Sequence, residues 1–278
     1  MNKFVASAVT AVALLAGANA SAATFNPFGV QPPGPFTTTP FQADRIVGGY
    51  TEYITFTPSG PSGGRFDVTL RWNAGQFFNN SETAPVELDA ADTGLGVDYR
   101  LYAVYKASGT YSTSGAVTNF TFTPSEEDYL RVYMDDDRNT EFTAPAAGGL
   151  DFGRSNISDD ILLATGMPQS GRGTLNTALP TCPALGTPPK DGINCGSFGS
   201  RTSFELTEDG MDFFVDPDPF YQLSFQSGQL NNFVVGGTQM ITGSLDVSFG
   251  EVPEPASVGL LGLGLLGLGA ARRRKQAK

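Results

Sequence analysis

The sequence predicts an all-β fold class: a single antiparallel β-sandwich or jelly-roll-like domain, flanked by an N-terminal signal peptide and a short C-terminal transmembrane helix. Three observations carry that expectation. Apolar residues alternate with polar ones in run after run. The segments between the runs are rich in Gly and Pro. No long helical period interrupts the body. Half-buried antiparallel strands produce such a pattern, because successive side chains point to opposite faces and only one face meets the core.

The elements follow in chain order. Lys3 gives a positive start, Phe4 to Leu15 is apolar, and Ala18-Asn19-Ala20 or Ala20-Ser21-Ala22 offers a small-x-small cleavage site. Residues 1–22 therefore read as a secretory signal peptide and 23–251 as the secreted domain. Residues 24–41, rich in Pro, Thr and Phe, read as an extended lead-in rather than core. Alternation then appears at 65–72 (RFDVTLRW), 99–103, 130–134 and 204–206, and is clearest at 241–249 (ITGSLDVSF). Thr, Tyr, Phe and Val supply strand-favouring chemistry in these runs. Turn clusters at 58–64 (PSGPSGG), 107–109 and 227–228 punctuate them. The stretch 159–166 (DDILLATG) suits a helical turn or a buried strand equally well.

Charge and residue usage narrow the chemistry. The chain holds 17 Lys+Arg against 28 Asp+Glu and no histidine. Without Lys3, the five bases after Ala271 and Glu254, the body's net charge falls from −11 to about −16. So acidic a body cannot neutralise phosphates, which argues against nucleic acid as a partner. The missing histidine removes Ser-His-Asp hydrolysis and every His-bearing zinc site. No dinucleotide or Walker-type glycine pattern occurs in a strand-to-helix context. The chain is read as a non-enzyme. Two cysteines, Cys182 and Cys195, bracket a Pro/Gly-rich loop, and in an exported protein such a pair predicts a disulfide.

One acidic stretch has chemical shape. In 135–141 (DDDRNTE), oxygen ligands at Asp135, Asp137, Asn139 and Glu141 alternate as they would around calcium. The stretch departs from the EF-hand pattern, with Thr140 where Gly is required and Ala146 where the closing Glu should stand. A solvated hairpin turn after the 130–134 strand is the preferred reading; calcium is the one cofactor the sequence offers. Asp216-Pro217-Asp218-Pro219 reads as a rigid turn. Trp72, Phe77, Phe78, Tyr99, Tyr105, Tyr129, Tyr133 and Tyr221 are candidates for stacking on sugars, although most should be core or cross-strand pairs.

The tail, residues 252–278, is the most specific signal. Val252-Pro253-Glu254-Pro255 leads into an uncharged Gly/Leu span that stops at Arg272, Arg273, Arg274 and Lys275. From Pro255 to Ala271 the span is roughly 25 Å as a helix, a little short for a hydrocarbon core. Bases mark the cytoplasmic side, which places the body outside. Order, spacing and position resemble the PEP-CTERM sorting signal of exported bacterial proteins. The resemblance implies recognition of the sorting motif by a membrane-embedded exosortase and removal of the tail, after transient anchoring in the inner membrane. Prolines fit that role, since they break the helix and leave adjoining backbone extended.

A second resemblance covers the body. Residues 43–50 (ADRIVGGY), 159–166 (DDILLATG), 195–199 (CGSFG) and 219–228 (PFYQLSFQSG) are similar to blocks of the flocculation-associated PEP-CTERM proteins. It implies a matrix protein of floc- or biofilm-forming bacteria, located at the cell surface and among exopolysaccharide, with a structural role in aggregation. A secreted carbohydrate-binding module is the alternative. A glycan hydrolase stands behind it, because nothing singles out two catalytic carboxylates.

Overall fold

The structure, a computed structural model, describes residues 25–32, 39–81, 84–145, 151–185 and 194–251. The segments read from sequence as a signal peptide, 1–22, and a sorting tail, 252–278, lie outside the described residues. Among the described residues no helix is long and apolar enough to cross a membrane.

In chain order the strands are β1 (Phe28–Val30), β2 (Phe41–Ala43), β3 (Arg45–Gly60), β4 (Gly63–Ser81), β5 (Ala84–Glu87), β6 (Arg100–Ser114), β7 (Val117–Phe122) and β8 (Tyr129–Asp135). They continue with β9 (Glu141–Thr143), β10 (Gly153–Ser155), β11 (Asp160–Gly166), β12 (Pro168–Asn176), β13 (Gly196–Ser203), β14 (Glu205–Leu206), β15 (Phe214–Asp216), β16 (Leu223–Leu230) and β17 (Gly237–Gly250). Two short helices, α1 (Ala90–Thr93) and α2 (Glu208–Phe213), complete the described elements. The ambiguous 159–166 stretch is a strand, β11, with a register shift between Leu162 and Ala164.

Eight strands close into an antiparallel barrel in the order β3-β4-β6-β7-β12-β13-β16-β17. Each follows its predecessor around the ring, and β17 returns to pair with β3 from Gly237↔Phe56 to Val247↔Ile46. This corrects the expected sandwich or jelly roll. Alternation reports only that one face of a strand is buried, which sandwiches and barrels share. Closure depends on a pairing between the two ends of the barrel sequence, and no local pattern records it.

Several staves are built from two strands laid end to end. β7 and β8 both pair with one edge of β6, at Gly109–Ser114 and Arg100–Lys106 respectively. Correspondingly, β12 pairs with β7 and β11 with β8. β14 extends the line of β13 by pairing with β11.

Inward positions carry the core. Ile54, Phe66, Leu70, Leu101, Ile241 and Leu245 are all buried in one cluster. Glycine makes room where bulky rings turn inward: a Cβ on Gly48 would lie 2.4 Å from the Trp72 indole nitrogen. A Cβ on Gly109 would lie 2.4 Å from the tip of the Phe66 ring.

Aromatic side chains plug both ends. At one end β1, β2 and β15 form a small sheet. There Phe28 is fully buried, with ring centroids 5.0 Å from Phe249, 6.1 Å from Phe214 and 6.3 Å from Phe220. At the other end Phe233 stacks on Phe56 at 6.3 Å. The expectation that 24–41 stays out of the core is therefore corrected at Phe28–Val30. Three residues are too few to show a period, and the surrounding Pro and Thr mask them.

Candidate functional site

The acidic turn forms where β8 runs out at Asp135. The chain reverses through 136–140, with Arg138 at φ 58, and re-enters as β9. Asp135 is buried, and its two carboxylate oxygens accept the backbone amides of Asn139 at 3.0 Å and Thr140 at 3.1 Å. Asp159, from the segment leading into β11, accepts the Asp137 amide at 2.9 Å and the Asn139 side chain at 3.4 Å. The Asp137 amide holds the Asp159 carboxyl below the usual aspartate value. Asp160 accepts the hydroxyls of Tyr102 and Thr140 and forms an ion pair with Arg154 at 3.9 Å.

Carboxylate oxygens of Asp135, Asp159 and Asp160 lie within 4.8 Å of one another. Of the residues selected by alternation, Asp135 and Asn139 come together in this network, while Asp137 and Glu141 are exposed and outside the converging group. The missed partners, Asp159 and Asp160, arrive from the facing strand. Only the pairing of β8 with β11 reveals them, through Asp135↔Asp160.

The same face carries an Arg-aromatic stack. Tyr102 and Tyr133 are parallel at 5.1 Å, and the Arg154 guanidinium lies 4.4 Å from the Tyr133 ring centre. Arg154 also donates to the Tyr102 hydroxyl at 2.8 Å. Of the eight aromatics considered for sugar stacking, Trp72, Phe77, Tyr99 and Tyr105 are buried. Phe78, Tyr129 and Tyr133 each lie under an arginine, Arg45, Arg131 and Arg154 respectively. Tyr221 donates its hydroxyl to the Pro27 carbonyl at 2.9 Å.

Cys182 and Cys195 form a disulfide. It ties the long β12–β13 connection to the barrel end, where the Cys195 amide donates to the Leu230 carbonyl at 2.9 Å. Both Asp–Pro bonds of 216–219 are cis.

Inside the barrel a second polar group interrupts the apolar lining. A cavity of about 90 Å³ runs between the two aromatic plugs. One wall carries Ser200 and Thr202 on β13 and Ser224 and Gln226 on β16. The Gln226 carbonyl accepts from Ser200 at 2.9 Å and Thr202 at 3.1 Å, while its amide donates to Ser224 at 2.8 Å. Tyr105, on β6, lies beside Ser200 and Thr202 with its hydroxyl buried. On the same wall, in register with Tyr105 through Leu70 of β4, stands Glu52 on β3, 8% exposed, whose carboxyl burial pushes up to about 7. Sequence reasoning missed Glu52, although a signal exists. In the run from Ile46 to Phe56 it has the same parity as the buried Ile54 and Phe56, so an acid there must point inward.

Comparison with known proteins bears on the tail. Residues 251–275 match the PEP-CTERM protein-sorting motif. No curated protein and no solved structure matches the chain.

Proposed function

We propose that this chain, which carries a PEP-CTERM sorting motif and with it the mark of an exosortase-processed exported protein, is a structural component of the extracellular matrix that promotes cell aggregation. The sorting motif at 251–275 is the observation that carries the reading, because it directs the body to the cell surface. In this reading the signal peptide starts export, the Gly/Leu span anchors the chain transiently, and exosortase releases the body among exopolysaccharide.

Two further features support it. The four sequence blocks similar to flocculation-associated proteins fall largely on the barrel: 43–50 spans the β2–β3 junction, 159–166 enters and forms β11, 195–199 opens β13 and 219–228 leads into β16. They look like scaffold, not cleft. The acidic body also suits a soluble surface protein held in a hydrated matrix.

An in-frame deletion tests the proposal, scored for floc formation and for exopolysaccharide retained on cells. The deletion should disperse the flocs while polysaccharide synthesis continues, and re-expression of the full chain should restore them. Normal flocs with normal polysaccharide retention in the deletion strain would refute the role.

A further inference from the structure

We propose that the barrel lumen is a binding site for a small aliphatic amine, its ammonium group paired with Glu52 and its hydrocarbon body against the apolar lining. This site is independent of the sorting signal and of the surface role.

The charge argument comes first. Glu52 is 8% exposed, and no described residue gives its carboxylate a hydrogen bond; its raised pKa has burial as its only cause. Among the described residues, no lysine or arginine lines the lumen. A buried carboxylate without a cation or donors is costly, so such groups are ordinarily paired. The protein supplies no partner, and a ligand ammonium would. It brings a charge and three N–H donors, one more than the carboxylate needs if each of its oxygens takes one.

Lining chemistry sets the rest of the ligand. Ile54, Val68, Leu70, Leu130, Val132 and Ile241 surround the cavity. The polar wall is bonded within itself, the Gln226 carbonyl accepting from two hydroxyls and its amide donating to the Ser224 hydroxyl. A second charged group on the ligand would find no opposite charge in the lining, which points to a monoamine with an aliphatic tail.

Volume sets the size. The cavity of about 90 Å³ is far below the roughly 300–1,000 Å³ of drug-sized pockets. It is also smaller than an engineered cavity of about 150 Å³ that holds benzene, so a ligand smaller than benzene is the right scale.

The test uses the purified full chain with n-butylamine, and n-butanol as its neutral counterpart, by calorimetric titration and thermal unfolding. At pH 8 butylamine should bind saturably and raise Tm more than butanol does. Butylamine stays protonated across this range, as lysine does. Below pH 7 its affinity should therefore weaken toward tenfold per pH unit, as Glu52 takes up a proton. Glu52→Gln should bring the two ligands level. If that variant does not fold, the pH series on the wild-type chain decides alone. Equal binding of amine and alcohol at pH 8 would overturn the proposal, as would absence of any response. Amine binding unchanged between pH 5 and pH 8 would do the same, because it would place the amine on ordinary surface carboxylates.

Discussion

One oxygen of Asp128 holds Ser108 twice, accepting its backbone amide at 3.2 Å and its hydroxyl at 3.0 Å. The same oxygen accepts the Ser125 amide at 2.8 Å. Asp128 sits in the loop between β7 and β8, where the composite stave breaks, and Ser108 lies on β6 opposite that break. The ladder cannot continue through the loop, and the carboxylate takes over the donors it would have paired.

Replacing Asp128 should therefore loosen the barrel at a defined point. Asp128→Ala strands two buried or half-buried amides and a hydroxyl, a loss of about 2–4 kcal/mol. For a chain of this size that is roughly 5–15 °C in Tm. Asp128→Asn keeps an acceptor in place and should lose less than half as much. Thermal unfolding of the two variants measures both. A loss below 1 kcal/mol for alanine would mean the break is held by packing alone.

Glu52 should give stability an unusual slope with pH. Its folded pKa of about 7 lies above its ordinary value of 4.5, so between these values the folded state binds more protons than the unfolded one. Stability then falls as pH rises from about 4.5 to about 7, by on the order of 3 kcal/mol at most, and is flat above. Asp159 acts in a separate window. Its lowered pKa contributes stability above the usual aspartate value that is lost as pH falls through it. Urea unfolding at pH 5, 6, 7 and 8 should show the decline in the wild type and not in Glu52→Gln. Parallel curves would show that water reaches the Glu52 carboxyl.

The Cys182–Cys195 bridge closes a short loop, and losing it should cost about 3 kcal/mol in the chain-entropy picture. Mass spectrometry of the secreted protein under non-reducing conditions should find the two peptides linked. The double serine variant should unfold at a lower temperature. Both thiols alkylating in native protein would remove the bridge from the mature form.

Strand chemistry was legible in the sequence because burial of one face leaves a period of two, and Ile241–Phe249 keeps that period in the structure, with Ile241, Leu245 and Phe249 buried. The disulfide was legible for a similar reason, since both partners lie in one short loop. What escaped was non-local. Barrel closure rests on pairs such as Ile46↔Val247, two hundred residues apart in sequence. Phe28 enters the core from a segment whose composition resembles a linker. The acidic cluster is assembled from β8 and the start of β11, so alternation along 135–141 selected Asp137 and Glu141 when the converging carboxylates were Asp159 and Asp160. Glu52 was readable from parity alone, and an acid at an inward position is the clue that matters.

The acidic turn should behave as a hydrogen-bonded turn. Both oxygens of Asp135 already accept backbone amides, and Asp160 is held by two hydroxyls and Arg154. Millimolar calcium should accordingly shift Tm no more than the same concentration of magnesium. Asp135→Ala should lower stability by about 2 kcal/mol through the two stranded amides. A saturable rise specific to calcium, lost in Asp159→Ala, would instead establish a cation at this turn.

Processing of the tail gives the last prediction. If the Gly/Leu span is a temporary anchor, mature protein outside the cell should end near Val252, and peptide mapping should find nothing from Arg272, Arg273, Arg274 and Lys275. Alanine at Pro253, Glu254 and Pro255 should leave full-length protein in the inner membrane, because the span and its basic stop are unchanged while the recognised motif is gone. Deleting residues 253–278 should release soluble protein instead, since the barrel closes through β17 and β3 upstream of the deletion. A structural role in the matrix requires delivery as well as folding, so both changes should weaken flocculation although the barrel is the same in each. Full-length protein in wild-type flocs would make the span a permanent anchor. Normal flocculation by the trapped form would separate delivery from aggregation, and the outer face of the barrel, with its Arg154–Tyr133 stack, would then be the surface to mutate.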